Sequence, residues 1–363
     1  MHSSKTSSLC SESYGLKMKK LMKGNEALVR AAIEANCKFY AGYPITPQNE
    51  IPEHMSVMMP RNQGIFIQAE AEVAAINMLF GASSCGVRCM TSSSSPGISL
   101  KQEGISYIAA AELPCVIVNM VRGGPGLGNI RASQADYFQS VKGGGHGDYR
   151  LIVLAPSNLQ EIYDLTMDAF DYADYYRNPV LILGDGVLAQ MFEPVELKKY
   201  SPTLKLPKKD WILDGCKGRE PHVVKTLMLN PPDALVTHNK HLQDKYEKIE
   251  DELPICKEYK ADDADILIAA YGLSARVCKE AVDTAREQGL KVGLIQPITL
   301  WPFPKKTFKK YCGKKFLVVE MSNGQFIEDV KLSLDCKGEI HFLGQGGGWY
   351  PDTKQVMKKL QNL

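Results

Sequence analysis

Along most of the chain, short apolar runs alternate with longer segments whose apolar positions recur every three or four residues. Short strand-like runs at 38–43, 65–69, 88–92, 115–121, 151–155 and 180–184 predict strands, and the helical spacing predicts helices at 25–35, 70–80, 98–111 and 158–175. A further helix should start after the prolines at 44 and 47. Strands that are apolar throughout, each followed by a helix, imply a parallel sheet covered on both faces. Residues 201–262 break the pattern with Pro202, Pro207, Pro221, Pro231 and Pro232, followed by a charged helix around 238–252. We read this stretch as a connector rather than a small domain. Alternation then resumes, with strands expected at 266–271, 292–297, 316–320 and 340–343, and helices at 274–288, 304–311, 325–334 and 351–360. The chain therefore divides into a first α/β domain (18–200), the connector (201–262) and a smaller α/β domain (263–363). The Ser-rich residues 1–17 lack the apolar centre of a signal peptide and read as a disordered extension.

Composition changes this picture little. The 363 residues are 44% hydrophobic and 23% charged, with a net charge of +2. No broad field draws such a chain to nucleic acid or an anionic membrane. Its apolar stretches, such as 113–121, stop well short of a membrane-spanning length. Ten cysteines are scattered through segments that read as buried, and no pair is spaced C-x-x-C. That argues against a metal or iron–sulfur site carried by this chain alone. It favours reduced core thiols in a reducing, cytoplasmic compartment.

Candidate chemistry gathers at the ends of the expected strands, where open α/β sheets bind ligands. In Gly42-Tyr43-Pro44-Ile45-Thr46-Pro47 two prolines restrict the backbone, and Thr46 stands where a helix N-cap belongs. A hydroxyl beside the positive end of a helix suits a small carboxylate, although an ordinary capped turn has the same residues. In Gln68-Ala69-Glu70-Ala71-Glu72 the second glutamate opens an Ala-rich helix. Small neighbours would leave Glu72 partly desolvated and Glu70 in solvent; a first-turn Glu that merely complements the helix dipole is the alternative. Ser92-Ser93-Ser94-Ser95 offers hydroxyls and N–H groups before the next helix. Arg122 leads a glycine-rich loop, Gly123 to Gly128, and is either a bidentate carboxylate ligand or a surface arginine. A second glycine loop at 142–148 carries His146, either in a pocket or exposed. Neither loop fits G-x-G-x-x-G, which speaks against a free-standing nucleotide binder.

Taken in order, G-Y-P-I-T-P-Q-N-E-I-P-E, Q-A-E-A-E-V-A-A-I-N-M, M-T-S-S-S-S-P-G-I-S-L, R-G-G-P-G-L-G-N, G-G-G-H-G-D-Y-R, A-Y-G-L-S-A-R, P-I-T-L-W-P-F-P and V-V-E-M-S-N-G-Q fall between residues 42 and 325. In these motifs the chain resembles the alpha subunit of 2-oxoacid:ferredoxin oxidoreductases, and most closely their 2-ketoisovalerate branch. The resemblance implies a thiamine-diphosphate pyrimidine-type parallel-sheet domain followed by a transketolase-C-like α/β domain. It implies oxidative decarboxylation of a 2-oxoacid, with a branched-chain acid favoured, to an acyl-coenzyme A, with electrons passed to ferredoxin. By motif, Glu72 would hydrogen-bond the aminopyrimidine N1′ and promote its imino tautomer. Thr46 and Arg122 would bind the substrate, and Tyr43, Pro44, Ser93 and Ser94 would line the cofactor. A beta subunit would bind the diphosphate and Mg²⁺, and a ferredoxin-like subunit would carry the clusters. Gly184-Asp185-Gly186 imitates the start of the family's metal–diphosphate motif, but no Asn-Asn follows anywhere in the chain. The other reading is a docking or scaffold subunit that keeps the fold without catalysis.

Overall fold

The computed structural model describes residues 19–335 and 338–363; the expected disordered extension lies outside the described residues. The first domain holds β1 (Lys19–Lys23), α1 (Gly24–Glu34), β2 (Phe39–Gly42), α2 (Glu50–Arg61), β3 (Ile65–Gln68), α3 (Glu72–Ser84), β4 (Cys89–Ser93), α4 (Pro96–Ala110), β5 (Val116–Val121), α5 (Tyr137–Val141), β6 (Ile152–Leu154), α6 (Leu159–Tyr176), β7 (Val180–Asp185), α7 (Gly186–Gln190) and β8 (Phe192–Glu196). The connector supplies α8 (Ala234–Glu252). The second domain follows with β9 (Cys256–Tyr259), β10 (Ile266–Ala269), α9 (Gly272–Glu287), β11 (Val292–Pro297), β12 (Thr299–Trp301), α10 (Lys305–Lys309), β13 (Lys315–Glu320), α11 (Phe326–Ser333), β14 (Ile340–Gly344) and α12 (Thr353–Leu360).

The main sheet has seven strands in the order β12-β6-β7-β5-β4-β2-β3. Strands β4, β5, β6 and β7 are buried throughout; β6 and most of β5 and β7 are apolar as a two-faced parallel sheet requires, while β4 ends in buried Thr91, Ser92 and Ser93. From β2 the chain steps outward to β3, then returns across β2 to add β4 on its other side. Helices α1, α2 and α6 pack on one another, and α3 packs on α4. The strand order therefore reverses between β2 and β4. The loops after those two strands diverge there and open a crevice, the usual ligand position in an open α/β sheet.

The second sheet, β14-β13-β10-β11-β9, is parallel except for β9, which runs antiparallel at one edge. Sequence pattern alone did not reveal β9, nor the short pair formed by β1 and β8. A larger departure concerns Ile298-Thr299-Leu300-Trp301. Instead of staying with the second domain, Thr299–Trp301 crosses back and pairs antiparallel with β6 at the edge of the first sheet. Gln134 locks the domains from the other side. Its backbone N–H donates to Met321 O (3.0 Å), its Nε2 to Tyr271 O (2.9 Å), and its Oε1 accepts from Met321 N (2.8 Å) and Ser274 Oγ (2.9 Å). Beside it, Phe326 packs edge to face against both Tyr137 and Tyr271, whose rings are tilted against each other, and Tyr137 donates to Asp329 Oδ2 (2.7 Å).

The early connector has no regular structure and lies along the first domain. Lys209 pairs with Asp174 (2.6 Å), and Leu213 N–H donates to Ser84 O (2.9 Å). Farther on, His238 Nε2 meets Ala110 O (2.7 Å) and Lys245 pairs with Glu112 (3.3 Å). The cysteines depart partly from expectation. Cys37, Cys89, Cys115 and Cys278 are buried free thiols, but Cys85, Cys216 and Cys312 are exposed, because they fall in turns beyond the last apolar position of their elements.

Candidate functional site

The loop after β2 differs from the sequence expectation at Thr46. Helix α2 begins only at Glu50, with Asn49 preceding it and making no side-chain cap. Residues 45–48 form a turn instead, closed by Gln48 N–H onto Ile45 O (3.0 Å), with a cis Thr46–Pro47 bond. The chain must complete this turn before a helix can start, so Thr46 lies upstream of the N-cap rather than on it. Its Oγ1 is half-buried and accepts from Asn49 Nδ2 (3.2 Å). Tyr43 and Pro44 are exposed on the outside of the loop.

Arg122, at the end of β5, is 7% exposed, so it is no surface arginine. Its Nη1 donates to Thr46 O (3.0 Å) and its Nη2 to Leu127 O (3.0 Å). Arg122 thus meets the Thr46 backbone, not its hydroxyl. The Nε–H is buried without a partner among the described residues. The guanidinium ties the proline turn to the tip of the glycine loop, where Leu127 and Ile130 are 80% and 63% exposed.

Glu72 occupies the first position of α3 and is 6% exposed, whereas Glu70 is in solvent. Its carboxylate makes no hydrogen bond with any described residue, although a buried carboxylate ordinarily collects several. The reason it can lie so deep is Gly97 on the facing helix α4. A Cβ added there would stand 2.6 Å from Glu72 Oε1 and would collide with Ser93 Oγ. The glycine is needed for this close approach of helix to carboxylate.

The serine loop is tightly held at one end and open at the other. Ser95 precedes α4 with φ 29° and ψ −84°, a conformation L-residues seldom adopt. Its N–H donates to Asn119 Oδ1 (3.0 Å), and its Oγ donates to Asp136 Oδ2 (2.7 Å) while accepting from Arg122 N (3.1 Å). Burial pushes the Asp136 carboxyl up, against the hydrogen bonds from Ser95 and Asn119. Such strain persists only where the surroundings over-determine it. Ser93 Oγ and Ser94 Oγ, by contrast, are buried with no partner among the described residues.

Two groupings result. Glu72, Ser93 and Gly97 stand together, Thr46 and Arg122 stand together, and Ser95 joins the halves through the Arg122 N–H. The fixed partners Asn119, inside β5, and Asp136, just before α5, escape sequence reading, because neither position gives a sign of what the side chain faces. His146 is exposed and belongs to neither grouping. Asp185 is spent on structure: its Oδ1 accepts from Val187 N (2.9 Å) and Leu188 N (3.1 Å), capping α7, and burial pushes its carboxyl up to about 6. Among the described residues no cluster of His, Cys, Asp or Glu could hold a metal ion.

A doubly wound sheet with unpartnered polar groups at its reversal point, docked to a second parallel sheet, defines a two-domain α/β ligand-binding protein. Residues 30–257 match the family model described as pyruvate flavodoxin/ferredoxin oxidoreductase, thiamine diphosphate-binding, and residues 264–356 match the pyruvate:ferredoxin oxidoreductase core domain II. The chain belongs to this oxidoreductase family. It is 48% identical over 345 residues to the ketoisovalerate oxidoreductase subunit VorB of Methanothermobacter marburgensis, covering 94% of this chain and 97% of that one. It is 39% identical to the 2-oxoglutarate synthase subunit KorA of Methanocaldococcus jannaschii, covering 90% and 95%. Among solved structures, the 2-oxoglutarate:ferredoxin oxidoreductase of Magnetococcus marinus superposes with a TM-score of 0.82 at 25% identity, covering 95% of this chain and 65% of that chain. The chain therefore spans just under two thirds of that solved relative. A split-gene transketolase shares the fold, with a TM-score of 0.56 and 13% identity. No helix among the described residues is long and apolar enough to cross a membrane.

Proposed function

We propose that the chain is the alpha subunit of a thiamine-diphosphate-dependent 2-oxoacid:ferredoxin oxidoreductase acting on branched-chain 2-oxoacids, with coenzyme A as acyl acceptor and ferredoxin as electron acceptor. The observation that carries this reading is the buried, unpartnered carboxylate of Glu72 in a thiamine-diphosphate-binding family domain. Identity with a ketoisovalerate oxidoreductase subunit favours a branched substrate.

The residues present fit the aminopyrimidine end of the cofactor. Glu72 offers a free acceptor, and the orphaned Ser93 and Ser94 hydroxyls supply further polar contacts. When bound, thiamine diphosphate supplies the carbon nucleophile and the electron sink for decarboxylation. Glu72, resting against Gly97 at the start of α4, would hold a proton at the ring N1′ through a charge-assisted bond. Arg122, fixed by two carbonyls, turns its free Nε–H toward the substrate carboxylate, and the Thr46 hydroxyl orients the adjacent carbonyl. Tyr43 and Pro44 form the outer wall. The diphosphate, Mg²⁺ and iron–sulfur clusters belong to partner chains: a beta subunit and a ferredoxin-like subunit. The buried free thiols suit a reducing cytoplasm.

Purification of the complex from its native host tests this. The expected result is a co-purifying chain with Gly-Asp-Gly followed by Asn-Asn and a second with cysteine cluster motifs, together with an isolated alpha chain that is inactive and binds thiamine diphosphate weakly. Tight cofactor binding by the isolated chain would overturn the shared-site reading. Full turnover by a complex carrying Glu72→Gln would point instead to a docking subunit.

A further inference from the structure

One side of α4 is buried, with Gly97, Ile98, Ile105, Ile108 and Ala109 facing inward. In that apolar row stands Lys101, with no exposed surface. An ammonium in such a place is costly unless something compensates its charge. Its Nζ donates to Thr91 Oγ1 (2.6 Å) and Ser92 O (3.1 Å), both neutral acceptors on β4. Lys101 comes one helical turn after Gly97 and so lies on the same face of α4. Gly97 is the residue against which the Glu72 carboxylate rests. Helices α3 and α4 pack side by side, which brings the lysine up behind Glu72 from within the protein.

We propose that Lys101 is a positioning residue for Glu72: its ammonium, anchored to Thr91 and Ser92, holds the Glu72 carboxylate in place. The proposal rests on the role given to Glu72 above and adds a second ionisable group to that site. A carboxylate that must meet a ring nitrogen has to be held in one position, and a buried ammonium fixed on two β4 acceptors is a rigid anchor for it.

Burial lowers Lys101 to about 7, with the Glu72 charge opposing the shift. The ammonium therefore comes and goes around neutral pH. The other ionisable groups nearby do not compete. Thr91 and Ser92 do not titrate. Tyr40 on β2, which shares a hydrogen bond with Ser92 (2.7 Å), is kept protonated by burial. Asp136 caps Ser95 at the start of α4, Tyr149 donates to Gln102, and Glu103 pairs outward with Tyr107. Of these, Glu72 alone acts on the Lys101 charge.

The test follows Lys101 directly. The full chain is labelled with ¹³Cε-lysine, the Lys101 resonance is assigned by its loss in Lys101→Met, and it is titrated with and without Glu72→Gln. Lys101 should titrate near 7 and move down by about one pH unit when the Glu72 charge is removed. In the enzyme assembled with its partner chains, Lys101→Met should lower kcat about tenfold with KM nearly unchanged, and should erase the inflection of kcat near neutral pH. Lys101→Arg should restore part of kcat with no inflection. An unmoved Lys101 titration in Glu72→Gln, or a Lys101→Met profile that superposes on the parent, overturns the proposal. If Lys101→Met fails to fold, the signal is assigned with Lys101→Arg and the Glu72→Gln titration still decides. Should Glu72→Gln be inactive while the Lys101 titration stays put, only this inference fails. Should Glu72→Gln keep full turnover, the role of Glu72 itself fails.

Discussion

Glu72 and Glu320 are both buried glutamates near the carboxyl ends of parallel strands, one in each domain. Glu320 closes β13 with both carboxylate oxygens engaged. Its Oε2 accepts from Ser322 Oγ, Gln325 N (3.1 Å) and Phe326 N (3.0 Å), and its Oε1 from Ile327 N (3.1 Å). It replaces the missing partners of the first turn of α11, a structural duty. Glu72 stands in a comparable position and engages no described residue by hydrogen bonding. Burial is common to both, so burial does not mark function. The unfilled hydrogen-bonding capacity does, because a protein gains nothing by burying a carboxylate that nothing meets.

The sharpest way to break this comparison is to neutralise each acid in turn. Glu72→Gln in the assembled enzyme should cut kcat about 10²–10⁴-fold, leaving the thermal midpoint nearly unchanged. Glu320→Gln should do the reverse, costing about 1–3 kcal/mol in denaturant unfolding while the folded fraction keeps normal turnover. Equal effects from both would erase the distinction. Next in size is Arg122→Ala, expected to lower kcat/KM by about 2–5 kcal/mol in steady-state kinetics. Arg122→Lys should recover little, because a single ammonium cannot serve two carbonyls and a carboxylate in one plane.

Gly97→Ala sharpens the geometric side. The new methyl would stand against Glu72 Oε1 and Ser93 Oγ, so turnover should fall about tenfold or more with a modest stability loss of about 1–3 kcal/mol. Smallest is a pH effect on stability. Burial lowers Lys101 to about 7 in the folded chain from its ordinary 10.5. Between those values the unfolded chain binds more protons, so unfolding free energy should rise with pH, by at most about 1.4 kcal/mol per unit from this one group. Below about pH 7 both states are protonated and the contribution levels off at its least favourable. Lys101→Met should lose that slope in urea titrations across the range.

Much of the scaffold was legible because the buried strands of the first sheet are short, mainly apolar segments set between helical ones. The candidate site positions could be singled out for a related reason, since Thr46, Glu72, Ser93 and Arg122 stand beside small or cyclic residues near strand ends. What escaped reading depends on partners distant in sequence. Thr46 was placed on an N-cap because the turn closed by Ile45 and Gln48 is invisible to spacing rules. Gln134 looks like any polar loop residue until its amide meets Tyr271, Ser274 and Met321. Lys101 is one charge in an apolar helical face, a signal that could have been noticed at its turn of α4 but not connected to Glu72.

The return of Thr299–Trp301 to the edge of the first sheet also bears on any attempt to dissect the protein. A fragment ending in the connector would keep Thr46, Glu72, Ser93 and Arg122. It would leave Ile152–Leu154 with a bare edge, an apolar strand whose open N–H and C=O groups invite pairing with another copy. Recombinant first domain should therefore self-associate, and grafting residues 298–303 back onto it through a short linker is the smallest repair that would keep it monomeric.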